Sequence, residues 1–143
     1  MARIRSIHPG QWTDEDFVSC SAYARLLAIA LRTEADDNGV FEWKPLTIKM
    51  RIFPADNVDV SALLDELSET SQIRWYEVDG RPYGVIRNFR KWQRPEKPKG
   101  IHPVADFVPE YIGLSPSDRR SVDDFEPEYC DDSSTSRRPV VDR

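Results

Sequence analysis

Apolar positions along the first two thirds of the chain recur at two periods, and the switches between them outline the elements. Tyr23, Leu26, Leu27, Ala30 and Leu31 follow helical spacing on one face, behind Ser21, whose hydroxyl suits a helix N-cap. Asp36-Asp37-Asn38-Gly39 closes that helix as a capping and turn sequence, with Gly39 free to take the left-handed conformation. Residues 40–43 alternate briefly and fit a short strand. Pro45 suits the first turn of a second helix, in which Leu46, Met50 and Phe53 share a face before Pro54 ends it. Asp59 can cap a third helix with Val60, Leu63, Leu64 and Leu67 as its buried stripe. Two such helices joined by a short turn make a helix-turn-helix candidate.

The period then changes to two. Over residues 72–78, Ile73 and Trp75 alternate with Arg74, Tyr76 and Val78, and 83–86 supplies a return strand. Between them Asp79-Gly80 is a strong hairpin signal, because a tight type I′ turn needs positive φ at both central residues. The order helix, strand, helix, helix, strand, turn, strand predicts an α+β winged helix-turn-helix over residues 1–99. It has three helices and a small antiparallel β-hairpin wing tipped by Asp79-Gly80-Arg81. Beyond Phe89, Pro95, Pro98, Pro103, Pro109 and Pro116 interrupt any regular element. Residues 100–143 are therefore read as a Pro-broken acidic tail, largely disordered. Its apolar island at 105–114, with Phe107, Val108, Tyr111, Ile112 and Leu114, is read as a transient turn in preference to a docking motif.

Charge sharpens this division. The net charge of −5 is confined to the tail: residues 1–101 hold 15 basic and 15 acidic side chains, residues 102–143 hold 5 and 10. Between Arg81 and Lys99 seven basic residues face one acid, Glu96. A local cationic run favours a polyanion partner even where total charge opposes one, since phosphate contacts depend on local charge. No apolar run is long enough to span a membrane, and the N-terminus lacks a secretory signal. Cys20 and Cys130 stand apart without ligand spacing, as ordinary thiols of a cytoplasmic protein. No phosphate-binding glycine loop or catalytic constellation is present, so neither an enzyme, a cofactor nor a metal is expected. His8 and His102 fall in Pro-adjacent segments read as flexible.

A string of short motifs adds a family likeness. Met1-Ala2-Arg3-Ile4-Arg5-Ser6-Ile7-His8-Pro9, then Gln11-Trp12-Thr13-Asp14-Glu15 and Ala35-Asp36-Asp37-Asn38-Gly39, are followed by Ile52-Phe53-Pro54-Ala55-Asp56 and Leu63-Leu64-Asp65-Glu66-Leu67. Tyr76-Glu77-Val78-Asp79-Gly80-Arg81-Pro82-Tyr83 and Asn88-Phe89-Arg90-Lys91-Trp92-Gln93-Arg94-Pro95 complete it. Over residues 1–99 this resembles phage replisome-organiser, or replication-initiator-like, proteins. The resemblance implies a winged-helix DNA-binding domain from a phage or prophage, in a bacterial host. Longer members carry a further region thought to engage the helicase or its loader. Here the 44 residues after Lys99 are too few and too polar for such a module. Origin or operator binding is what remains.

The expected partner is double-stranded DNA, with replisome or helicase-loading proteins as further candidates. The third helix suits base reading poorly: it exposes Asp65, Glu66 and Glu69 and offers no Arg for a guanine. The candidate contacts are instead a basic arm (Arg3, Arg5), the second helix and its flank (Lys44, Lys49, Arg51), the wing (Arg81) and a strap after the hairpin. The strap comprises Arg87, Arg90, Lys91, Arg94, Lys97 and Lys99 beside Trp92, and suits phosphate contacts and a minor-groove Arg. Trp92 is the aromatic placed for base stacking, whereas Trp12, Trp43, Trp75, Tyr76, Tyr83 and Phe89 are assigned to the core. Two other readings stand beside this one. One is a transcriptional regulator of the same fold. The other is a protein-interaction module, such as a replisome or anti-defence adaptor, using the acidic third helix and tail.

Overall fold

Asp14, Ser21 and Asp59 each accept a hydrogen bond from the backbone N–H three residues further on, and each opens a helix. In the computed structural model, which describes residues 3–115, these helices are α1 (Glu15–Val18), α2 (Ala22–Glu34) and α4 (Val60–Glu69). The α3 helix (Pro45–Ile52) has its proline in the first turn. A 3-10 turn, Pro9–Thr13, precedes α1 and is capped by the His8 ring, which accepts the Gly10 N–H. The segment around His8 is thus folded, contrary to the expectation of flexibility. Three strands, β1 (Val40–Glu42), β2 (Ile73–Val78) and β3 (Arg81–Ile86), make one antiparallel sheet in the order β1-β3-β2. Short helices α5 (Phe89–Trp92) and α6 (Val108–Tyr111) follow. The fold class is α+β.

The hairpin register pairs Val78 with Arg81 and Ile73 with Ile86. Asp79 and Gly80 sit between them at φ 53° and 78°, as the tight turn requires. Gly84 is needed for a different reason. The Phe41 and Trp43 rings fill the space a Cβ would occupy there, packing the β1 end across β3.

The α4 stripe is as expected: Val60, Leu64 and Leu67 are buried and Leu63 is half-buried. The other two stripes are rotated. On α2 the buried set is Ala24, Leu27, Ala28 and Leu31, while Tyr23 and Leu26 are 45% and 51% exposed. Two registers share Leu27 and Leu31. The alanines win because their small side chains let the helix backbone approach its neighbours closely, which a period alone cannot weigh. On α3 only Ile48 is buried, and Leu46 and Met50 are exposed. The aromatic assignment divides likewise. Tyr76, Tyr83 and Phe89 are in the core, but Trp12 and Trp75 are 56% and 49% exposed.

The largest departure lies after residue 100. Residues 101–114 are folded onto the face of the sheet that carries Arg74, Tyr76 and Tyr83. The Tyr76 hydroxyl donates to the Pro103 carbonyl at 2.6 Å, and its ring meets Phe107 edge-on at 5.5 Å. The Arg74 guanidinium lies 3.8 Å over Phe107, and His102 leans on Tyr83. Val108 and Ile112 are fully buried, and the Tyr111 hydroxyl donates to the Ser71 carbonyl. The island at 105–114 is a docked element of the fold, not a transient turn, and a boundary at residue 99 cuts through the core. A sequence-local view sees prolines here. It cannot see that one sheet face is still uncovered without this segment. The expectations for the remainder of the tail, 116–143, and for Cys130 lie outside the described residues.

Burial holds both docking phenols neutral. Tyr76 is raised well above its ordinary pKa and Tyr111 is pushed up to about 12. Their contribution to stability is complete below pH 10, the ordinary tyrosine value, and is lost as pH climbs towards the folded-state values. In an alkaline absorbance titration, two of the five tyrosines are expected to ionise late and together with unfolding. Ionisation of all five as one class near pH 10 would count against the docked segment.

Candidate nucleic-acid interface

Asp36 and Asp37 follow the C-cap of α2, Ala35, and are only 1% and 2% exposed. The Asp36 carboxylate accepts four backbone N–H groups: Asn38 and Val40 on one oxygen, Ile101 and His102 on the other. The first two make the expected turn; the other two pin the C-terminal segment. Burial raises the Asp36 carboxyl above the ordinary range, while the His102, Val40 and Ile101 N–H groups pull it back. Asp37 holds the N-terminus. Its oxygens lie 3.1 Å from Arg3 Nη1 and 3.1 Å from Arg5 Nη1, and one also accepts the Lys99 N–H. Arg5 further donates to the carbonyls of Arg32, Ala35 and Asp36.

The expected basic arm is therefore not an arm. The Arg5 side chain is 6% exposed and its charge is spent inside the protein. Arg3, more open, shares the same carboxylate. The sequence offers both arginines and both aspartates, but pairing them needs two segments about 30 residues apart to meet.

Elsewhere many of the candidate cations have a local partner. Lys44 pairs with Glu42 at 3.3 Å. Lys49 reaches the Phe53 carbonyl at the end of α3. Arg51 is tied to Glu34, whose hydrogen bond and charge raise the guanidinium pKa further. Arg87 pairs with Asp16 at 2.9 Å, and Arg90 Nη1 donates to Asn38 Oδ1. The backbone of Lys99 is paired with Asp37 in both directions. Arg81 is exposed at the wing.

What remains is a patch at the root of the hairpin, the end far from Asp79-Gly80. Lys91, Arg94 and Lys97 are exposed there, and none forms an ion pair with another described residue. Lys91 Nζ sits 5.1 Å over the Trp92 ring, which is 46% exposed and lies tilted against His8 at 4.5 Å. Arg94 Nε donates to the Lys91 carbonyl, turning the chain back on itself. Arg81 and this patch lie at opposite ends of β3, on the order of 16 Å apart by strand rise. The run that is continuous in sequence is two sites in space.

Comparison with family models, curated proteins and solved structures finds no match. Assignment therefore rests on chemistry. The exposed side of α4 carries Asp65 and Glu69, and Glu66 is held by the Ser21 N–H and hydroxyl, so that face repels phosphate. The hairpin root follows the C-terminal end of α4, where Gln72 N–H meets the Leu67 carbonyl. Among the described residues, no helix is long and apolar enough to cross a membrane.

Two arginines escaped the sequence reading. Arg25 and Arg32 lie two turns apart on α2. The Arg25 Nε is buried without a hydrogen-bond partner, and burial lowers the Arg32 pKa. Their heptad spacing beside Ala28 was the available signal, masked by the choice of the other register.

Proposed function

We propose that the chain is a DNA-binding winged-helix protein of phage or prophage type, linked to the initiation or control of DNA replication in the cytoplasm of a bacterial host. The helix, strand, helix, helix, strand, strand order with sheet order β1-β3-β2 supports the winged helix. The phage and replication setting comes from the resemblance of residues 1–99. One observation carries the contact surface: Lys91, over a half-exposed Trp92, is followed by exposed Arg94 and Lys97, and none of the three forms an ion pair among the described residues. Cations so placed bind phosphates by counterion release, and an adjacent indole can stack or wedge against the duplex. Arg81 adds a second contact at the wing. Neither contact reads bases, so recognition is dominated by backbone and shape.

Duplex binding titrated against salt tests this. Replacing Lys91, Arg94 and Lys97 together by alanine is expected to flatten the log-affinity against log-salt slope by about 2.7, at roughly 0.9 per phosphate contact. The affinity at low salt should fall about a hundredfold. Equal slopes for the parent and the triple variant would remove the hairpin root as the contact surface.

A second reading is favoured by one feature, the exposure of Leu46 and Met50 on α3, at 74% and 64%, near an acidic α4. Such a face suits a protein partner. Replacing both by serine should leave DNA binding unchanged if the two surfaces are separate.

A further inference from the structure

Arg32, in the last turn of α2, is half-buried and has no carboxylate within ion-pair distance among the described residues. Its side chain donates to Oε1 of Gln11, a neutral amide. This sets it apart from Arg3, Arg5, Arg51 and Arg87, which all have counter-charges. A guanidinium withdrawn from water without an anion is costly, and burial correspondingly lowers its pKa. Beside it opens a cleft of about 230 Å³, bounded by the Pro9–Thr13 turn, α2 and the end of β3. Arg87 and Asn88 form another wall, and the tilted ring pair of His8 and Trp92 forms a third.

The acids nearby are already engaged. Asp14 lines the cleft, but its carboxylate accepts the Phe17 N–H as the cap of α1. Asp16 is taken by Arg87. The second cleft, about 310 Å³ near α3, gives the contrast. It contains both Arg51 and Lys44, and their partners Glu34 and Glu42 line it too, so its charge is balanced internally. The first cleft brings together a half-buried arginine held by a neutral amide, a second arginine and an aromatic wall, and the carboxylate that lines it, Asp14, serves as the cap of α1. Its volume admits a phosphate group with a ring attached.

We propose that this cleft binds a phosphate monoester of a nucleotide, with the phosphate at Arg32 and the base or sugar against the His8–Trp92 pair. A guanidinium matches phosphate oxygens with paired N–H donors, and an indole face accepts any base. The phosphate has two possible sources, a free nucleoside monophosphate or the 5′ end of a DNA strand, and both present the same dianion. The site shares Trp92 with the duplex-binding surface proposed above, but its phosphate is held by Arg32 and not by Lys91, Arg94 or Lys97.

Calorimetric titration of the full chain tests it with four probes: deoxyadenosine 5′-monophosphate, deoxyadenosine, and a short single strand with and without a 5′-phosphate. At least one phosphorylated probe is expected to bind about tenfold or more tighter than its unphosphorylated partner. Which probe does so identifies the source. Arg32→Gln should lower that affinity about tenfold, and Arg32→Lys should lose less. The Lys91, Arg94 and Lys97 triple variant should keep it, so failure of duplex binding and failure of this site are distinguishable. Without ligand, Arg32→Gln is expected to melt at the parent temperature or above, because it removes an uncompensated, half-buried charge. Equal binding of phosphorylated and unphosphorylated probes, or unchanged affinity in Arg32→Gln, would overturn the proposal. So would a drop of about 5 °C or more in the unliganded Arg32→Gln midpoint, which would make the arginine a structural element.

Discussion

Asp37→Ala is expected to lower stability by about 3–5 kcal/mol, the range for removing one partner from a buried ion pair. The Asp37 side chain is 1% exposed and that of Arg5 6%, so the alanine leaves a guanidinium with neither counter-charge nor water. The three carbonyls Arg5 also meets would still accept its N–H groups, but they cannot neutralise it. The Lys99 N–H loses its acceptor in the same change. For a domain of this size that corresponds to a fall of roughly 20 °C in the thermal midpoint, measurable by calorimetry. Asp37→Asn keeps the volume and one acceptor oxygen, and should lose less. Replacing the pair together, with Arg5→Met and Asp37→Leu, should recover much of the loss, because no charge is then stranded. A midpoint within about 3 °C of the parent in Asp37→Ala would show that the ion pair does not hold the N-terminus.

Ending the chain at Gly100 is expected to be about as damaging. The cut removes Val108 and Ile112, both fully buried, and uncovers Tyr76 and Tyr83 on the sheet. Each large apolar side chain lost is worth about 1.5–3 kcal/mol of burial, and the entropy regained by the freed segment offsets much of that. The part without an offset is Asp36. It loses the Ile101 and His102 N–H groups while remaining at the end of α2. Two charge-assisted hydrogen bonds lost, at about 1.5–3 kcal/mol each, give a net loss of about 3–5 kcal/mol. A chain ending after Ser115 keeps these contacts and is the matched control. If both truncations unfolded at the same denaturant concentration, residues 101–115 would be dispensable. A DNA-binding comparison made with the shorter chain would otherwise report unfolding rather than any effect of the tail.

Local chemistry was legible wherever one segment decides the outcome. Ser21 and Asp59 cap their helices, Pro45 opens α3, and Asp79-Gly80 turns the hairpin, each through contacts within a few residues. The α4 stripe was legible because Val60, Leu64 and Leu67 offer only one apolar face. On α2 the sequence offers two faces, and the tertiary contact chose the one with alanines. The candidate site was legible in part. Lys91, Arg94 and Lys97 stay exposed, but Arg5 and Arg87 belong to Asp37 and Asp16.

Taken alone, the sequence determined the order of helices and strands, the tight turn, and a cationic run in a chain of net charge −5. These depend on backbone preference and composition, which act over a few residues. Only the tertiary structure decided which cations are still available and that residues 101–114 belong to the fold. Charges pair by distance in space, and Asp36 and Asp37 collect partners from residues 3 to 102. Prolines likewise forbid long helices, yet they do not prevent a short segment from covering a sheet face that would otherwise meet water.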